Sequence, residues 1–147
     1  NQWSWDFGDG GTSAQQNPTR TYTAAGTYDV TLTVTSSSGC PNTITKQTTI
    51  FPAPAAAFIV ANICLNTSSN FTDASTVSSG NIIGWNWDCG NGESATQQNP
   101  SHTYAVAGTY DVTLNVISDN ACTNSIMQPT VVYDLPVADF NVTSVCL

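Results

Sequence analysis

The chain repeats itself, and that constrains its fold more than anything else in it. Trp3-Ser4-Trp5-Asp6-Phe7-Gly8-Asp9-Gly10 returns as Trp85-Asn86-Trp87-Asp88-Cys89-Gly90-Asn91-Gly92. Gln15-Gln16-Asn17-Pro18 returns as Gln97-Gln98-Asn99-Pro100, and Gly26 to Leu32 returns unchanged as Gly108 to Leu114. Cys40 maps to Cys122, Pro54 to Pro136, Phe58 to Phe140 and Cys64 to Cys146. The offset is 82 residues throughout, and 31 of the 65 overlapping positions are identical. Self-similarity at a fixed period signifies an array of one structural unit. The Pro-containing junctions Phe51-Pro52-Ala53-Pro54 and Tyr133-Asp134-Leu135-Pro136 set its phase. Residues 54–135 then make one complete unit, 1–53 the later strands of the unit before it, and 136–147 the start of the next. The chain is expected to be a window on a longer array.

The hydrophobic pattern inside each unit alternates with period two, as half-buried strands require. Tyr110, Val112, Leu114 and Val116 share one face, and Thr109, Asp111, Thr113 and Asn115 the other. Tyr28, Val30, Leu32 and Val34 repeat the pattern. Ile83, Trp85, Trp87 and Cys89 are expected to face inward together, with Phe71 on a short strand near 68–73 and Ala56, Phe58 and Val60 on the first strand of the unit. The last strand spans roughly 124–133 with Ile126 and Val132 inward, and Pro129 within it suits an edge or a bulge. No window has helical periodicity. About seven short strands per 82 residues predict an all-β, immunoglobulin-like sandwich. Trp87, like Trp5 before it, takes the place of the buried central-strand Trp, and Tyr110, like Tyr28, that of a tyrosine corner.

Composition removes several classes of function. Two basic residues stand against ten acidic ones in 147, a formal charge of −8, so neither nucleic acid nor an anionic membrane surface is a plausible partner. No apolar run approaches the length that crosses a bilayer, and membrane insertion is not expected. No basic start leads into an apolar run, so no signal peptide is expected in the chain. Five Cys in a protein this poor in Lys point to an oxidising, extracytoplasmic setting.

Trp-Asp-Phe-Gly-Asp-Gly at 5–10, Asn-Pro-x-x-Thr-Tyr at 17–22 and Gly-Thr-Tyr-x-Val-Thr-Leu-x-Val at 26–34 resemble the signature of polycystic-kidney-disease (PKD) domains. The second copy departs from that signature at Cys89 and Asn91. The Cys-containing form of the repeat resembles arrays in large secreted or surface proteins of gliding Bacteroidetes. The resemblance implies tandem sandwich units without catalytic machinery.

Few residues suggest chemistry. Asp6 and Asp9, with Asp88, Asn91 and Glu93 in the second copy, could offer oxygen ligands to calcium, and no other cofactor is expected. Their structural alternative is to accept backbone N–H bonds inside Gly-rich turns. His102 replaces Arg20, a group that cannot serve as a general base, and reads as a surface loop residue. No nucleophile elbow or second His accompanies the many Ser and Thr, so no catalytic residue is assigned. The pairs Trp3/Trp5 and Trp85/Trp87 read as core rather than as a sugar platform. Asn66, Asn70 and Asn141 match the N-glycosylation sequon, read here as accidental.

A Cys64–Cys122 disulfide is the simple expectation, but in an immunoglobulin-like order the strand 110–118 alone would separate the two by roughly 26 Å. A bond requires Cα atoms within about 7 Å. Cys40, Cys64, Cys122 and Cys146 are therefore expected to pair with neighbouring repeats outside these residues, and Cys89 to be a buried free thiol in the place of Phe7. The expected role is a stalk, fibre or adhesin segment of a secreted or cell-surface protein. Its partners would be neighbouring repeats, with lateral copies or a surface ligand as further candidates. The alternative is a carbohydrate- or protein-binding accessory module of a secreted hydrolase.

Overall fold

The computed structural model describes residues 1–143. Among them there is no helix, and the chain divides into two compact units that meet between Pro52 and Ala53.

The first unit contains β1 (Gln2–Asp6), β2 (Thr12–Ser13), β3 (Gly26–Thr35) and β4 (Pro41–Ile50), in one antiparallel sheet ordered β2-β1-β3-β4. Trp5 lies opposite Leu32 and Trp3 opposite Val34. The other face of the β3–β4 ribbon is a threonine ladder, with Oγ1–Oγ1 distances of 2.8 Å for Thr31–Thr45 and 2.9 Å for Thr33–Thr43. The apolar face stays open. Trp5, Val30, Leu32, Ile44 and Lys46 line a hollow of about 260 Å³, and Ile44 is 53% exposed.

The second unit closes its core. Its larger sheet is ordered β10 (Ser94–Ala95), β9 (Ile82–Asp88), β12 (Gly108–Ser118), β13 (Thr123–Tyr133) and β6 (Ile63–Cys64). Opposite it, β5 (Phe58–Ile59) pairs with β8 (Thr72–Asp73), and β7 (Ser68–Asn70) pairs with β11 (Ser101–Thr103). Phe71 bridges β7 and β8, and its amide donates to Pro100 O at 3.0 Å, which joins the two pairs into a second layer. The rings of Phe58 and Phe71 lie 5.1 and 5.4 Å from that of Trp87 on the facing sheet. Trp87, Val112, Leu114 and Val116 are fully buried with Tyr104. This is a two-layer sandwich, as the alternation of β12 requires.

Three expectations need correcting. Ile83 does not face the core: it is 63% exposed, and Ile82 packs there instead. The cause is a bulge, since Ile117 pairs with Gly84 but Ser118 pairs with Ile82, which shifts the inward set by one residue. Trp85 and Tyr110 are not fully enclosed but half-buried against the rim of the core. Trp5 is only half-buried, on the open apolar face of the first unit's sheet. Pro129 stands opposite Asp111, on a stretch of β13 that β6, pairing only at Val132 and Tyr133, does not reach. Beyond Tyr133 the described residues form no strand, and Val137, Phe140 and Val142 are each more than 80% exposed.

Candidate functional site

Residues identical between the two copies are spent on holding the turns. The Trp87 Nε1–H donates to Gln97 O at 2.9 Å, as Trp5 does to Gln15 O at 3.0 Å. The Tyr104 hydroxyl donates to Cys89 O at 2.9 Å, and Tyr22 to Phe7 O at 3.1 Å. The Tyr110 hydroxyl donates four residues back to Val106 O at 2.8 Å, and Tyr28 to Ala24 O at 3.0 Å, the bond of a tyrosine corner. Tyr104 stacks on Tyr110 with centroids 4.1 Å apart. Gly90 sits at φ +77°, where a Cβ would meet Asp111 O at 2.8 Å; Gly8 is held the same way against Asp29.

The turn acids sit inside this frame. Asp6 Oδ1 accepts the Gly8 N–H at 2.9 Å, and Asp88 Oδ1 the Gly90 N–H at 2.8 Å. Asp9 Oδ1 accepts from Gly11 at 2.9 Å, and Asn91 Oδ1 from Glu93 at 3.1 Å. Asp9 Oδ2 takes both Nε and Nη2 of Arg20, at 2.9 and 2.7 Å. The Gly11 amide, followed by Arg20, holds the Asp9 carboxyl below its ordinary range despite opposing desolvation. These oxygens serve turns and, at Asp9, a guanidinium, which is the structural alternative to a calcium role. Among the described residues, no three His, Cys, Asp or Glu side chains gather as a metal site would need.

His102 also departs from expectation. It lies on β11, only 9% of its side chain is exposed, and its ring meets Tyr104 edge-on at 4.5 Å. Asn91 Nδ2 is 3.1 Å from its Nε2, and Glu93 Oε2 is 3.7 Å from its Nδ1. The quartet Phe7/Asp9/Gly11/Arg20 of the first unit is thus replaced in concert by Cys89/Asn91/Glu93/His102. A side chain at Gly11 would collide with the Arg20 guanidinium, whereas the shorter His102 leaves room for Glu93.

A polar hollow of about 370 Å³ in the second unit is lined by Asp73, Ser75, Asn81, Trp85 and Gln98 among others. Asp73 clamps it: Oδ2 accepts from Trp85 Nε1 at 2.7 Å and Gln98 Nε2 at 3.1 Å, and Oδ1 from Ser75 N at 3.0 Å. Burial would raise the Asp73 carboxyl, but the bonds from Ser75, Gln98 and Trp85 outweigh it and hold the group below its ordinary value. Nothing in the sequence pattern points to Asp73, because the repeat overlap does not reach it.

Cys89 is buried, and desolvation with the nearby Glu93 and Asp88 carboxylates pushes its thiol up to about 11. Cys40 and Cys64 are exposed thiols. No disulfide joins Cys64 to Cys122: Cys64 pairs with Tyr133 at one end of β13, while Cys122 precedes its other end. At about 3.3 Å per residue the two are on the order of 35 Å apart, which removes the intra-unit alternative. Cys146 lies outside the described residues.

Stacked sheets in the second unit, with a tyrosine corner and a Gly-rich turn in both units, define an immunoglobulin-like β-sandwich module. The sequence profile of the PKD domain matches residues 1–51 and 52–132, and the chain belongs to that family, whose domains are non-catalytic modules. It is 34% identical over 123 residues to the pre-pro-metalloprotease PrtV of Vibrio cholerae, covering 83% of this chain but only 13% of that protein. A microbial collagenase of Vibrio alginolyticus shares 50% over 46 residues, 31% of this chain and 6% of the enzyme. The PKD1 domain of Vibrio anguillarum Epp superposes with a TM-score of 0.53 at 32% identity, covering 56% of this chain and 96% of that domain. The PKD1 domain of PrtV gives 0.52 at 36%, covering 55% and 98%. The chain thus spans a small fraction of the curated relatives it matches.

Proposed function

We propose that the chain is a non-catalytic spacer, a stalk or fibre segment of a large extracellular protein in which residues 54–135 are one repeat and residue 136 begins another. What carries this reading is the use of the repeated residues: Trp87, Tyr104, Tyr110, Asp88 and Gly90 are all consumed in packing and turn bonds, as are their counterparts. Selection on such a unit acts on shape and solubility, not on a reacting centre. The likeness to Cys-bearing arrays of Bacteroidetes surface proteins supports an adhesive or filamentous setting. Cys40, Cys64, Cys122 and Cys146 are then the residues through which neighbouring repeats would be cross-linked, and non-reducing peptide mapping of a longer array is the check.

A second reading has its own support. The Vibrio relatives carry PKD modules within a metalloprotease and a collagenase. A solved structure of promiscuous carbohydrate-binding modules superposes with a TM-score of 0.54 at 25% identity, covering 56% of this chain and 35% of that one. On this reading the hollow beside Trp85 docks a polymer next to a hydrolase. Co-sedimentation with insoluble collagen and with polysaccharide separates the two. A spacer stays in the supernatant; retention that disappears in Trp85→Ala would replace the spacer with the accessory module.

A further inference from the structure

Asn91-Gly92 is the only Asn-Gly pair in the chain, and it stands where the first copy has Asp9-Gly10. We infer that Asn91 is a self-modification site, losing its amide to leave an aspartate and so converting the second turn to the acid form of the first. Three observations around one side chain carry this.

The first is access. Asn91 and Gly92 are exposed, Gly92 lies at φ +89°, and no atom comes within 4 Å of where its Cβ would be. The main-chain nitrogen of Gly92 is therefore unshielded by a side chain of its own. The second is polarisation: the Glu93 N–H donates to Asn91 Oδ1 at 3.1 Å, where negative charge gathers if a nucleophile adds to Cγ. The third is the leaving group, since Asn91 Nδ2 stands 3.1 Å from His102 Nε2. In the resting amide, Nδ2 donates to an unprotonated Nε2. Once Cγ is tetrahedral, Nδ2 is an amine, and an imidazolium Nε2–H can protonate it.

The steps balance. The Gly92 nitrogen bonds to Asn91 Cγ, and its proton passes through water to the unprotonated His102 Nε2. The Cγ–Nδ2 bond breaks, and ammonia departs with that proton, which returns His102 to its neutral form. Water then opens the five-membered imide, so the net change is amide plus water to acid plus ammonia. Opening at Cγ gives an ordinary aspartate; opening at the main-chain carbonyl gives an isoaspartyl link. The fold accommodates an aspartate in this turn, because Asp9 already accepts the matching turn amide in the first unit, at 2.9 Å from Gly11 N. Arg20 faces Asp9 there, and His102 holds that place in the second unit. Asp9 itself is spared: an ionised carboxylate bound by a guanidinium is a poor electrophile.

The test is peptide mass mapping of the intact chain after incubation at mildly alkaline pH, folded and in denaturant, beside His102→Gln. Gln keeps a hydrogen-bonding group but cannot protonate the leaving nitrogen. Asn91 should lose its amide ahead of Asn42, Asn66 and Asn124, and the folded His102→Gln protein should do so several-fold more slowly. In denaturant the two proteins should match. Equal rates for the two folded proteins, or an Asn91 amide that outlasts those other Asn residues, would overturn the inference. If His102→Gln does not fold, folded against denatured wild type decides: a folded rate several-fold below the denatured rate sinks the proposal. Asn91→Asp should retain the cooperative unfolding of the second unit, and its loss would also count against it.

Discussion

At the scale of single residues, the two copies show which substitutions must travel together. Phe7, with Arg20 over its ring at 5.6 Å, is replaced by a buried Cys, and the charged Asp9–Arg20 pair by Asn91 and His102. Because burial holds the Cys89 thiol at about 11, almost none of it is thiolate near neutrality. Iodoacetamide should therefore label Cys40 and Cys64 in the native chain and reach Cys89 only after unfolding. Labelling of Cys89 at the rate of Cys40 would show that the second core is not closed. Asp73 yields a prediction in pH. Its folded-state value lies below the ordinary 3.8, so its carboxylate stabilises the second unit above that value. That contribution is lost as pH falls through the folded value. Asp73→Asn should be less stable at neutral pH yet lose less stability on acidification, as followed by urea unfolding across the acid range.

At the scale of strands, Tyr110 ties the start of β12 to the turn before it through one bond to Val106 O. Tyr110→Phe should cost about 1 kcal/mol, the usual net worth of such a bond, read from the shift in denaturation midpoint. The Ile83 bulge gives a sharper test. Strict alternation would make Ile83→Thr a core substitution, whereas the observed register leaves it within about 0.5 kcal/mol of wild type. What is legible in the sequence follows the same division. β12 is readable because Val112, Leu114 and Val116 alternate without interruption, and the period alone fixes their face. The first residues of β9 mislead because a bulge resets the period and leaves no mark in Ile82-Ile83-Gly84 that alternation can detect. His102 reads as a loop residue because β11 is only three residues long, too short for any period, and is held by pairing to β7. The Asp73 clamp is invisible because its partners Trp85 and Gln98 are distant in sequence and gather only when the two sheets stack.

At the scale of the molecule, the same sequence pattern recurs in two compact units, and stability should divide between them. The second unit has Trp87 enclosed by Phe58 and Phe71, while the first leaves Trp5 and Ile44 in contact with water. Apolar area left exposed contributes nothing to the roughly 25 cal/mol per Å² that burial supplies, so the first unit should unfold at lower denaturant. Urea titration of the whole chain should show two transitions. Trp87→Ala should move the later one by about 3–5 kcal/mol, because it empties a closed core, and leave the earlier one in place. Trp5→Ala should move only the earlier transition, and by less, since solvent already reaches that ring. A single transition shifted by both substitutions would mean that the two units fold as one body. The spacer role would then rest on cooperation between repeats, and the strength of each module taken singly would not explain it.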